Sequence, residues 1–218
     1  MDAVVLAECS DKIGIRDALN SGPDNHFHLV DTKRSRVSVY TRFPAHFVEY
    51  LSHTHDRYLA VLRLGLPLRS EFLLGAIHFP SKKELTSGDQ QSMASRISAR
   101  LIENQVGHFR TVLVGDLNMN PFDAGMVSAD GFHGVMTRQI AKRSARVVRG
   151  ETFPFFYNPM WGQLGDITDG PPGTFYRTSS AFIEYFWQTF DQVLIRPSLL
   201  ECFDARTLKV LTKSKSGS

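Results

Sequence analysis

Apolar residues along the chain fall into short runs separated by polar turns. Ala3–Ala7 is a compact apolar run that reads as a buried strand and ends on Glu8. In 10–25, the spacing of Ile13, Ile15, Ala18 and Leu19 predicts a short helix, closed by the breaker cluster Ser21, Gly22, Pro23, Asp24. Strand-like pieces follow over 28–31, 36–42, 45–51, 58–64 and 71–79. In one of them Val37 and Val39 alternate with Ser38 and Tyr40. Closely spaced strands with short turns predict antiparallel pairing rather than repeated crossovers. The run 72–79 (FLLGAIHF) is apolar on both faces except for His78. At the strand's end, before a polar loop, His78 is either a satisfied core histidine or a group facing a cleft.

The strongest helical pattern spans 90–109. Met93, Ile97, Leu101, Gln105 and Phe109 recur every four residues beside Ala94, Ile102 and Val106, with Arg96, Arg100 and Glu103 on the other side and His108 at the end. Thr111, Val112, Leu113 and Val114 then have the composition of a buried strand. Gly115 breaks that run, and Asn120-Pro121 is a turn signal. Asp116 and Asn118 are two residues apart, so an extended backbone projects both from one face at the strand's carboxyl end.

One or two short helices are expected over 122–141. Lys142, Arg143, Arg146 and Arg149 form a basic cluster, either a solvated loop or a phosphate contact through residues such as Arg143 and Arg146. The aromatic stretch 153–162 (FPFFYNPMWG), with Trp161, is either a packed surface loop or a platform on which substrate stacks. Strands are predicted over 174–176, 185–195 and 205–211, before a polar tail (KSKSGS). Asp191 stands in the middle of the second of these. A carboxylate inside an apolar strand is costly unless it is paired, hydrogen-bonded or metal-bound.

The totals bound the class. With 218 residues, 42% hydrophobic and 22% charged, the chain is long enough for one sizeable core and has the composition of a soluble globular protein. A net charge of +3 is too mild to argue for a basic partner-binding role beyond a local patch. The two cysteines, Cys9 and Cys202, are far apart and in no metal-ligand spacing, which points to a reducing compartment. No run approaches the ~18 apolar residues of a membrane span, and no basic-then-apolar leader is present. The expectation is a soluble, cytoplasmic protein with one domain over 1–218 and no internal repeat.

Glu8 after a first strand, His78 after a middle one, Asp116 with Asn118 after a third and Asp191 in a late strand stand in chain order. With AVVLAE, SVYTRFP, AIHFPSK, the long Gln-containing helix, VGDLN and FDQVLIRP, the chain resembles the endonuclease/exonuclease/phosphatase superfamily, the deoxyribonuclease-like metal-dependent phosphoesterases. VGDLN is the most specific piece, and the resemblance covers nearly the whole chain. It implies an α/β (α+β) fold, a four-layer sandwich of two mainly antiparallel sheets packed face to face with helices outside. It implies a divalent-metal-dependent phosphodiester hydrolase, first of all an endonuclease, attacking a nucleic acid or other phosphodiester in line with water. By the same resemblance Glu8 binds Mg²⁺ or Mn²⁺, suited to hard oxygen ligands. Asp116 orients or deprotonates the water, and Asn118 holds the phosphate or the metal-bound water. His78 hydrogen-bonds the scissile phosphate, and Asp191 supports the histidine or metal network.

The resemblance also implies what is missing. The family opens on a strand bearing a metal-binding Asn and closes on one bearing Ser-Asp-His. Here the chain opens on the Glu strand and contains no Asp-His pair, the nearest arrangement being His55-Asp56. The expected domain therefore lacks its first and last strands, and the alternative reading is a catalytically inactive nucleic-acid- or phosphate-binding domain of the same fold.

Overall fold

A computed structural model of the chain describes residues 1–23, 26–32, 35–51, 57–65, 67, 70–105, 109–166 and 169–212. Asp24, His55, Asp56, Val106, His108 and the KSKSGS tail, all named above, lie outside these residues.

In chain order the elements are β1 (Ala3–Ala7), α1 (Lys12–Leu19), β2 (His28–Val30), β3 (Val37–Thr41), β4 (Val48–Tyr50), β5 (Leu59–Leu64) and β6 (Phe72–His78). Next come α2 (Ser87–Asn104), β7 (Thr111–Asp116), α3 (Ala124–Val127), β8 (Gly134–Val135) and α4 (Arg138–Ala141). The last are β9 (Ala145–Val148), β10 (Glu151–Pro154), β11 (Phe156–Tyr157), β12 (Phe175–Tyr176), β13 (Trp187–Gln188) and β14 (Asp191–Ile195). A large sheet runs β4-β5-β6-β7-β14-β11-β8, and a small one runs β1-β3-β2. The pairs β9–β10 and β12–β13 are two-stranded hairpins.

The pleat explains how these sheets stack, because alternate residues face opposite ways. On β5, Leu59 and Val61 join Leu73, Ile77 and Leu113 of the neighbouring strands in a core against Ala94, Ile97 and Leu101 of α2. The intervening Ala60, Leu62 and Leu64 join Leu74 and Ala76 in a second core against Val37 and Val39 of the small sheet. The central strands are therefore apolar on both faces, as the 72–79 run predicted. On the far side of the small sheet, Tyr40 Oη donates to the Lys12 carbonyl of α1 at 3.0 Å. The order helix, sheet, sheet, helix is the α+β sandwich expected.

Helix α2 starts at a capping box: Thr86 Oγ1 accepts from Asp89 N–H, and the Asp89 carboxylate accepts from Thr86 N–H. This arrangement satisfies two otherwise orphaned donors. The helix then crosses over and delivers the chain to β7, parallel to β6. That crossover makes the large sheet mixed: β6–β7 and β8–β11 pair in parallel and its other pairs are antiparallel, within the mainly antiparallel sheets expected. Three expectations change. The segment after residue 204 forms only a 3-10 turn, Ala205–Thr207, not a strand. Asp191 opens β14 at its exposed end rather than sitting in mid-run. Gly115 lies within β7 instead of ending it, at φ +141°, where an added Cβ would lie 2.0 Å from the Ile77 carbonyl oxygen. The glycine is required by the close approach of β6.

At the other end of β14, the Arg196 side chain is buried, stacks 3.7 Å over the Phe156 ring and donates to the Pro154 and Phe155 carbonyls. Burial drops its pKa to about 9. Among the described residues no helix is long and apolar enough to cross a membrane.

Candidate active site

Register places the candidate residues side by side. Parallel pairing sets His78 of β6 opposite Asp116 of β7, and antiparallel pairing sets Asp116 opposite Asp191 of β14. His78 follows Leu74 and Ala76 on the face turned to the small sheet, and Asp116 follows Val112 and Val114 on the same face. The row thus stands where the seam between the sheets opens. Glu8, just past the end of β1, comes from the other sheet: its Oε1 lies 3.7 Å from His78 Nε2, and Asp116 Oδ2 lies 3.9 Å from the same nitrogen.

Glu8 adopts φ +54°, a left-handed conformation uncommon for a side chain with a Cβ. Its carboxylate is 80% exposed, while His78 is 8% exposed. Asn118, also left-handed at φ +48°, is not on an extended strand as its spacing suggested. Its contact with Asp116 comes from the tight turn. Its backbone N–H donates to Asp116 Oδ1 at 2.8 Å, and its Nδ2 donates to Asp116 Oδ2 at 3.1 Å and to the Phe79 carbonyl at 2.7 Å. Burial raises the Asp116 pKa, the Asn118 N–H opposes that, and the nearby Asp191 and Glu8 charges raise it further.

Gln90 went unrecognised in the sequence. Buried at the start of α2, its Nε2 donates to the Pro80 and Asn118 carbonyls at 3.0 and 3.2 Å, tying the helix to both site loops. The signal was a polar residue in line with the apolar stripe of Ala94, Ile97 and Leu101. Asn120 is a second case: its side chain accepts from Thr189 N–H and donates to Gln188, clamping the 116–121 turn to the strand that leads into Asp191.

The proposed substrate contacts divide. Trp161 lies beside Phe122, with ring centroids 6.1 Å apart, and Phe122 packs against Tyr185 of the β12–β13 hairpin. Arg143 just precedes and Arg146 lies within β9 of the β9–β10 hairpin, which leads into β11 at the Ile195 end of β14, away from Asp191. There Arg146 Nε donates to His133 Nε2 at 3.0 Å. The structure therefore brings Glu8, His78, Asp116, Asn118 and Asp191 together and leaves the two arginines apart. A pocket of about 710 Å³ lined by Arg138, Lys142, Glu201 and Arg206 shares no residue with this row. Two of its lining cations are paired, Lys142 with Glu201 and Arg206 with Asp204.

Two β-sheets packed face to face between helices make the chain an α+β sandwich, with a histidine and carboxylates at the open end of the seam. No family model matches the chain, and no curated protein matches it in sequence. Among solved structures it is similar to TDP2 from Caenorhabditis elegans, with a TM-score of 0.50 and 15% identity over 90% of this chain and 54% of that one. A functionally unknown conserved protein from Enterococcus faecalis V583 also matches, with a TM-score of 0.43 and 11% identity over 79% of this chain and 66% of that one. The chain spans about half the length of the first and about two thirds of the second. At 15% identity, the likeness to TDP2 is one of fold.

Proposed function

We propose that the chain is a divalent-metal-dependent phosphodiester hydrolase acting on nucleic acid, first of all as an endonuclease. The observation that carries this reading is the row His78, Asp116, Asp191, closed from the other sheet by Glu8 and braced by Asn118. The superfamily resemblance and the sandwich fold support it.

Among the described residues, no cluster of three His, Cys, Asp or Glu side chains is arranged to hold a metal ion. Mg²⁺ does not require one, because it is commonly held by one or two carboxylates with water and substrate phosphate completing its shell. The donor chemistry fits, since Glu8 is exposed and the charges of Glu8 and Asp191 lie close enough to Asp116 to raise its pKa. Glu8 would hold Mg²⁺ or Mn²⁺, with Asp191 supporting the metal network. When bound, the ion supplies Lewis-acid charge neutralisation at the phosphate.

The chain's own residues do the rest. Asp116, with both oxygens oriented by Asn118, takes a proton from the attacking water; its raised pKa makes it the better base near neutrality. His78 presents Nε2 toward the seam, where it hydrogen-bonds a phosphate oxygen. Asp191 supports the histidine or metal network, and its like charge helps to raise the Asp116 pKa. The second reading is a catalytically inactive nucleic-acid- or phosphate-binding domain of the same fold. Plasmid nicking in Mg²⁺ separates the two. Nicking is expected, reduced by on the order of 10²-fold or more in Asp116→Ala. No Mg²⁺-dependent nicking, or equal rates in the variant, overturns the hydrolase reading.

A further inference from the structure

Resting on that nucleic-acid reading, we infer that the β12–β13 hairpin, with Phe122 and Trp161, is a stacking platform for the unpaired bases of a single-stranded nucleic acid. The hairpin is tied to the acid row: Thr174 Oγ1 accepts from the backbone N–H of both Phe190 and Asp191 at 3.0 Å. The Phe175 ring stacks on Phe190, with centroids 5.6 Å apart and planes 23° apart, one residue from Asp191. Tyr176 packs against Trp187 at 5.0 Å, and Phe122 bridges Tyr185 to Trp161.

Phe122, Phe175, Tyr176, Tyr185 and Trp187 are each braced by another ring and still open to solvent. Tyr185 is 59% exposed, Tyr176 55% and Phe175 46%. A core would bury them, and a monomer gains nothing by holding so many aromatic faces in water. Braced rings with a free face are what base stacking needs, because the ordering cost is met before the base arrives. A duplex cannot use them, since its base faces already stack on one another. Exposed Lys83 lies on the loop that leaves β6 just past His78 and can meet the backbone, while its neighbour Lys82 is paired with Asp123 at 2.6 Å, one residue from Phe122. The hairpin itself carries one cation, Arg177, paired with Glu184 at 3.6 Å, so its contribution is stacking rather than phosphate binding.

The most exposed apolar pair, Phe182 and Ile183, lies in the loop joining β12 to β13. If a membrane were the partner, that loop would carry the binding and the braced rings would not. The chain's two tryptophans, Trp161 and Trp187, both belong to the patch, so intrinsic fluorescence reports on it directly.

The experiment titrates the full chain, in chelator to prevent cleavage, with a thymidine oligomer of about ten nucleotides, the matching duplex, and phosphatidylcholine vesicles. Expected are tryptophan quenching by the single strand, at least tenfold weaker binding of the duplex, and a loss on the order of tenfold for each of Phe175→Ser and Tyr185→Ser. Phe182→Ser should leave single-strand binding within about twofold. Equal affinity for duplex, unchanged binding by both ring variants, or a response to vesicles that Phe182→Ser removes overturns the platform. Failure of nicking with this quenching intact overturns the hydrolase and leaves the platform. Nicking without quenching does the reverse.

Discussion

Asp116 and Asp191 stand directly opposite each other on adjacent antiparallel strands, two carboxylates paired in register at one end of the large sheet. Like charges in that relation repel, and the charge of Asp191 is one of the causes that raise the Asp116 pKa. The first prediction follows from the sign. Removing the neighbouring charge in Asp191→Asn lowers the Asp116 pKa toward the ordinary carboxylate range. A carboxyl-carbon NMR titration in chelator measures this, and an unmoved Asp116 would show that the two groups do not interact.

Glu8 holds a left-handed backbone that glycine adopts without cost. Glu8→Gly is expected to stabilise the fold by about 1 kcal/mol, read from a urea midpoint. The same change should raise the Mg²⁺ concentration needed for nicking by about tenfold or more. Gain of stability with loss of function marks strain kept for a site; no gain, or unchanged Mg²⁺ dependence, argues against it.

Gly115 is the reverse case. At φ +141°, with the Ile77 carbonyl 2.0 Å from an added Cβ, even alanine must push β6 and β7 apart. Gly115→Ala should cost on the order of 3 kcal/mol or more. Gly65, whose added Cβ would meet nothing within 4 Å, is the control, and Gly65→Ala should leave the unfolding midpoint nearly unchanged.

His133 sets a pH dependence away from the site. Its burial, followed by the charge of Arg146, lowers its pKa from 6.5 to about 4. Between those values the unfolded chain takes up a proton that the folded ring refuses, so stability falls as pH drops from about 6.5 toward 4 and is complete above that window. His133→Asn, which tolerates the φ of +50° there, should flatten this slope in urea unfolding series at pH 7.5, 5.5 and 4.5. A slope identical to that of the parent chain would rule out His133 as its source.

Much of this architecture could be read from periodicity. The two-faced apolar strands and the four-residue repeat of α2 each reflect which side of an element meets a core, and that information is local. The row Glu8, His78, Asp116, Asn118, Asp191 was legible because each residue follows or flanks a strand of recognisable composition. Gln90 and Asn120 were not, because a buried amide earns its place through carbonyls distant in the chain: Gln90 through Pro80 and Asn118, Asn120 through Gln188 and Thr189. The predicted strand over 205–211 failed for a related reason. Propensity alone cannot supply a partner, and among the described residues none pairs with that segment.

The chain's order of residues, taken alone, determined the elements, the apolar faces and the chemical types waiting at their ends. Tertiary structure decided the rest through register. Pairing of β6, β7 and β14 set His78, Asp116 and Asp191 opposite one another, and sheet-on-sheet packing brought Glu8 to 3.7 Å from His78. It also moved Asp191 from the middle of a run to an exposed strand end and carried Arg143 and Arg146 toward the opposite, Ile195 end of β14. A one-residue slip in any strand would turn its side chain to the helix-covered face. Register is a property of the paired strands together, and no segment specifies it by itself.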